Sequence, residues 1–209
     1  YLYVYHTYRD PKGFLRNRVV RLEDKGEKAE NLTVMLDNIP GSRIHNGGRI
    51  KFGPDGKLYI TTGDTASNSL AQDITSLAGK ILRINKDGSI PRDNPFPGSP
   101  VYSYGHRNPQ GLGWHPVTGQ LFATEHGPVG HDEVNLIVGG SNYGWPIVSG
   151  SGNDPRLENP VTFSQHGELV SNSTDYVGMY DGVKAVSTKR KRPTTCVDDD
   201  GLVLQLGRK

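Results

Sequence analysis

A chain of 209 residues holds one large domain or two small ones, and its 27 glycines and 14 prolines are too many for a helical protein. Hydrophobic content of 33% suffices for a core of short strands, and a net charge of +2 argues for no particular partner. The single cysteine, Cys196, excludes an internal disulfide and a multi-cysteine zinc site, and no apolar run is long enough to span a membrane.

Tyr1-Leu2-Tyr3-Val4-Tyr5 lacks the basic start and apolar core of a signal peptide and reads as mid-domain strand, so any such leader is expected upstream. The alternation runs to Tyr8, and Arg18 to Leu22 is a short β-branched run. Lys57 to Thr62 is a clear strand entered through Pro54-Asp55-Gly56, and Asn68 to Leu77 is left as loop or one helical turn. Lys80 to Ile84 alternates again and stops at Lys86-Asp87-Gly88, turn chemistry that marks hairpins. Phe52 to Ile60 resembles Trp114 to Ala123: each reads aromatic, proline, turn glycine, then an apolar strand ending in polar groups. The two prolines are 62 residues apart, a period that fits a blade of a β-propeller; two unrelated hairpins sharing turn chemistry are the plainer reading.

At that period the chain holds only three to three and a half blades, and half a ring leaves blade faces and strand edges bare. A fragment, a pairing of two copies, or a genetically shortened chain is therefore expected. The composition changes near residue 160: residues 1–160 are tight and turn-punctuated, whereas 161–209 are polar and charged, with Lys189 to Arg192 and Asp198 to Asp200. The latter segment reads as a tail that does not continue the pattern, with Val183 to Val186 and Leu202 to Leu206 as its candidate strands. The basic run is read as a solvated tail rather than a nucleic-acid patch, and the sequons at Asn31 and Asn172 as incidental.

Chemistry concentrates in three places. In His45-Asn46-Gly47-Gly48-Arg49 a histidine suited to general-base work near neutral pH precedes glycines that let backbone turn sharply near a ligand. In Tyr104-Gly105-His106-Arg107-Asn108-Pro109-Gln110-Gly111 a guanidinium fork and two amides suit carboxylates or quinone oxygens, although an arginine bracing a turn reads equally well. In Glu125-His126-Gly127-Pro128 the Gly-Pro carbonyls, with Asp132 and Glu133 following, suit calcium rather than zinc. If Asp132 to Val138 is a strand, the two acids point to opposite faces and serve different neighbourhoods.

In this order, and closing with Asn142-Tyr143-Gly144-Trp145-Pro146, these motifs closely resemble the soluble glucose/aldose sugar dehydrogenases that use pyrroloquinoline quinone (PQQ), the glucose/sorbosone dehydrogenase family. The resemblance is sharpest from His45 to Pro146 and covers roughly two thirds of the chain. It implies an all-β, six-bladed propeller, of which about three blades are present, and a calcium-dependent quinoprotein oxidoreductase that converts an aldose to a lactone and passes electrons to an external acceptor. It implies His45 as the base on the anomeric hydroxyl, Asp132 hydrogen-bonded to His45, and Arg107 stabilising charge on the reduced quinone, with Asn108 and Gln110 in the PQQ pocket. The carbonyls of Gly127 and Pro128 would ligate the calcium that binds PQQ, and Glu133 with the Tyr143 carbonyl a second, structural calcium. A periplasmic or secreted location follows from the resemblance alone. Two other readings stand beside it at this stage: a non-catalytic calcium-binding propeller fragment that serves as a binding module, and an inactive truncated remnant.

Overall fold

A computed structural model describes residues 1–164 and 205–207. Among the described residues every regular element is a strand except one 3-10 turn, Asn68–Ala71. The strands are β1 Leu2–Arg9, β2 Leu15–Asp24, β3 Ala29–Pro40, β4 Ile50–Phe52, β5 Leu58–Thr62, β6 Lys80–Ile84, β7 Val101–Tyr104, β8 Pro109–Trp114, β9 Leu121–Glu125, β10 Asp132–Ile137, β11 Thr162–Ser164 and β12 Gln205–Gly207. They form three four-stranded antiparallel sheets, β12-β1-β2-β3, β4-β5-β6-β7 and β8-β9-β10-β11. The last two are plain meanders, and β12 takes beside β1 the place that β4 and β8 hold in the other two. Each sheet is a propeller blade.

The 62-residue repeat is the blade repeat. Gly53 N–H bonds the Lys57 carbonyl across the β4–β5 turn, and His115 N–H bonds that of Gln120 across the β8–β9 turn. The turn glycines Gly56 and Gly119 have φ of 72° and 70°, a left-handed conformation that glycine adopts without a Cβ penalty.

The middle blade is buried on both faces, which explains why β5 and β6 are buried throughout. The strand period of two splits their side chains between two cores. Leu58, Ile60, Leu82 and Ile84 pack with Tyr5, Val19, Met35 and Ile39 of the first blade. Tyr59 and Ile81 pack with Leu112, Leu121, Ala123 and Ile137 of the third. Polar positions on these strands are therefore interior and need partners. Arg83 lies beside the rings of Tyr59 and Tyr102 and donates to Asp55, Asp93 and Asn94.

β11 lies just beyond the composition change at residue 160 and completes the third blade by pairing with β10. Of the expected strand Leu202 to Leu206, Gln205 and Leu206 lie in β12, paired with Tyr5 and Val4, and residues 202–204 lie outside the described residues. Val183 to Val186, Lys189 to Arg192, Cys196, Asp198 to Asp200 and the sequon at Asn172 lie outside the described residues. Among the described residues no helix is long and apolar enough to cross a membrane.

Candidate active site

The site is assembled from the loops that enter the second and third blades, carrying His45 and Arg107, and from the β5–β6 and β10–β11 loops, carrying Asp64 and Trp145. His45 has a φ of 56° and is followed by Gly47 and Gly48 at 63° and 104°, so the chain doubles back against β5. Gly48 donates to the Thr61 carbonyl. The approach is so close that a Cβ on Gly63 would lie 2.0 Å from the His45 carbonyl oxygen. That crossing sets His45 Nδ1 2.7 Å from Asp64 Oδ1. The first blade supports the loop from behind: Tyr5 donates its hydroxyl, and Asn17 its side-chain amide, to Asn46.

Asp64 is fully buried, and both its carboxylate oxygens accept hydrogen bonds. Oδ1 also accepts the Ala66 N–H at 2.8 Å, and Oδ2 accepts the indole N–H of Trp145 at 2.8 Å. A carboxylate so placed fixes the imidazole tautomer: Nδ1 carries the proton toward Asp64, and Nε2 becomes the proton-accepting atom of a partly exposed ring. This corrects the expectation for Asp132. The carboxylate on His45 Nδ1 is that of Asp64; Asp132 Oδ1 accepts the Gly127 N–H and lies 3.7 Å from His126 Nδ1. Asp64 stands apart from the motif clusters in sequence. The available signal is its place two residues after a strand ending in Thr61-Thr62, matching the place of Gly127 two residues after Glu125 in the next blade.

Arg107 is presented by a loop that Glu125 organises. Glu125 Oε1 accepts the N–H groups of Arg107 and Asn108, and Oε2 pairs with His106 Nδ1 at 2.9 Å. His106 is itself fully buried, bonded to Ser103 and stacked on Tyr143, so it braces the loop rather than facing solvent. The Arg107 guanidinium donates to the His126 carbonyl at 3.1 Å and lies 5.4 Å from the Trp145 ring. Asn108 turns its side-chain oxygen to the Gly47 N–H, and the Gln110 carbonyl receives Arg49. Trp145 thus joins His45, through Asp64, to Arg107, a linkage not legible in the Asn-Tyr-Gly-Trp-Pro motif itself.

Arg107, His126, Gly127, Pro128, Glu133 and Trp145 line one recess, with Glu125 and Tyr143 in its wall. Glu133 stands opposite Glu125 in the β9–β10 register. Burial, with the Glu125 charge next in importance, pushes its carboxyl well above the ordinary range. It accepts from Gly150 and Asn135. A buried acid beside another acid and a Gly-Pro carbonyl pair fits a hard divalent cation. Among the described residues no three His, Cys, Asp or Glu side chains cluster about one point, so such an ion would depend on backbone carbonyls. A flat aromatic face beside a guanidinium likewise fits a planar, anionic cofactor.

Comparison with known proteins finds relatives that are quinoprotein sugar dehydrogenases. The "Quinoprotein glucose dehydrogenase B" of Acinetobacter calcoaceticus is 40% identical over 183 residues, covering 74% of this chain and 38% of the relative. The PQQ-bound aldose sugar dehydrogenase of Streptomyces coelicolor matches with a TM-score of 0.70 at 46% identity, over 77% of this chain and 48% of that one. The apo-form of the soluble aldose sugar dehydrogenase of Escherichia coli matches with a TM-score of 0.72 at 32% identity, over 78% and 54%. The chain spans less than half the length of the curated relatives it matches and about half that of the solved structures. The model of the family "Glucose / Sorbosone dehydrogenase" matches residues 1–178, and with a propeller-type fold shared with PQQ-dependent aldose sugar dehydrogenases, this chain belongs to that family.

Proposed function

We propose that this chain carries the proton-abstracting part of a PQQ- and calcium-dependent dehydrogenase that oxidises an aldose at its anomeric carbon to the lactone and delivers electrons to an external acceptor. The observation that carries the proposal is the His45–Asp64 pair, with Nε2 left to accept a proton, tied through Trp145 to Arg107. His45 takes the proton of the anomeric hydroxyl, and Asp64 orients the ring and stabilises the imidazolium that forms. Arg107 offers its guanidinium to developing negative charge. Asn108 and Gln110 complete the polar wall of the cofactor pocket. When bound, PQQ supplies the two-electron acceptor for the C1 hydride, and calcium supplies a Lewis acid. The Gly127 and Pro128 carbonyls would hold that calcium, and Asp132 secures their loop through the Gly127 N–H. Glu133 and the Tyr143 carbonyl would serve a second, structural calcium. The family's usual cofactor supply supports a periplasmic or secreted location, and a second copy of the chain is one way to complete the ring.

The test is dye-linked oxidation of a panel of aldoses by the purified chain reconstituted with calcium and PQQ. Turnover that needs both and falls by about 10²–10⁴-fold in His45→Ala supports the proposal. A folded, soluble sample without turnover overturns it and leaves a non-catalytic, ion-binding propeller piece as the better description.

A further inference from the structure

Lys80 has the largest of the fully buried side chains among the described residues, and the site described above does not use it. Its ammonium donates to three backbone carbonyls, those of Leu70 at 2.8 Å, Ala71 at 3.0 Å and Ala78 at 2.6 Å. Two belong to the 3-10 turn and the third to the return of the same loop into β6. Three carbonyl dipoles converging on one point repel one another unless a cation sits between them.

The loop that Lys80 gathers touches the segments that present Asp64, Arg107 and Trp145. The Gly79 N–H bonds the Gly63 carbonyl, one residue before Asp64, and the Gly79 carbonyl accepts the His106 N–H, one residue before Arg107. Ala71, whose carbonyl receives Lys80, also receives the Gly105 N–H. Gln72 donates to the Trp145 carbonyl at 2.6 Å and exchanges hydrogen bonds with the side chain of Asn142.

We propose that Lys80 is a positioning residue, an internal cation that gathers the Asn68–Gly79 loop so that Gln72 fixes Trp145 and Trp145 in turn fixes Asp64 beneath His45. Burial pushes the Lys80 ammonium down to about 7, while the charge of Asp73 opposes the shift and the three carbonyls also favour the charged form. The inference bears on the dehydrogenase reading only through His45 and Asp64, and its test reads geometry without sugar, PQQ or calcium. An inactive chain therefore still decides it.

The chain has two tryptophans, so a ¹⁵N-labelled sample gives two indole N–H signals, assigned by Trp114→Phe. Lys80→Met keeps the apolar stem and removes the cation. The expected result is a displaced Trp145 indole signal, with solvent exchange of that proton and of the Gly105 amide faster by about tenfold or more, while Trp114 stays in place. A folded Lys80→Met protein with both indole signals and both exchange rates unchanged overturns the proposal. Gln72→Ala removes only the link and leaves the buried cation intact, so it decides the case if Lys80→Met does not fold. It is expected to move the Trp145 signal alone, and an unmoved signal overturns the proposal.

Discussion

At the scale of single residues, Asp64 is the most demanding position in the site. Both carboxylate oxygens accept, from His45 and Ala66 on one side and from Trp145 on the other. Asparagine has one acceptor oxygen and one donor group, so Asp64→Asn faces either His45 or Trp145 with the wrong partner. In a preparation that turns over, Asp64→Asn is expected to lower kcat by about 10²–10⁴-fold with little change in KM, read from steady-state aldose oxidation. His45 and Arg107 were legible in sequence because each stands inside a cluster of chemistry-bearing neighbours. Asp64 was not, because its meaning comes from a crossing 19 residues away in the chain that only the missing Cβ of Gly63 allows. The family resemblance pointed to Asp132 instead, an acid that holds the Gly127 N–H and not His45.

At the scale of elements, strands with strong patterns were found where the sequence places them, Lys80 to Ile84 to the residue. The alternation read there does not sort interior from solvent, because both faces of that blade are covered and Lys80 and Arg83 are interior with partners. The loops resisted reading, since what fixes them is backbone-to-backbone contact. Gly63→Ala is expected to cost about 2–4 kcal/mol in urea unfolding, because the added methyl meets main chain that cannot yield cheaply. Lys80 gives the same region a pH signature. Its pKa is lowered from 10.5 in the open chain to about 7 in the folded one, so between those values the unfolded chain binds more protons. Its contribution to stability therefore rises with pH from about 7 to 10.5 and is at its least favourable below 7. Subtracting the urea profile of Lys80→Met from that of the native chain is expected to isolate this rise. Tyr5, Tyr59 and Tyr143, held above their usual range by burial, act oppositely above pH 10 in both proteins.

At the scale of the molecule, three blades share two cores, and the period that announced them was visible because the same left-handed glycine turn recurs at Gly56 and Gly119. The place of β12 beside β1 was invisible, since its strand signal is short and its partner lies at the other end of the chain. Calcium at the proposed site is expected to raise the thermal midpoint with the logarithm of its free concentration once that exceeds the dissociation constant, and Glu133→Gln to remove much of that gain while easing the burial penalty of the ion-free protein. Differential scanning calorimetry with calcium and with chelator separates the two effects. The glycine crossings also bear on how this scaffold can change over generations. A side chain at Gly47, Gly63 or Gly79 would place its Cβ 2.0–2.6 Å from the carbonyl oxygens of Thr61, His45 or His106. These positions are closed to other residue types whatever the selection imposed, so saturation libraries at Gly47, Gly63 and Gly79 should return glycine alone among the variants as stable as the native chain.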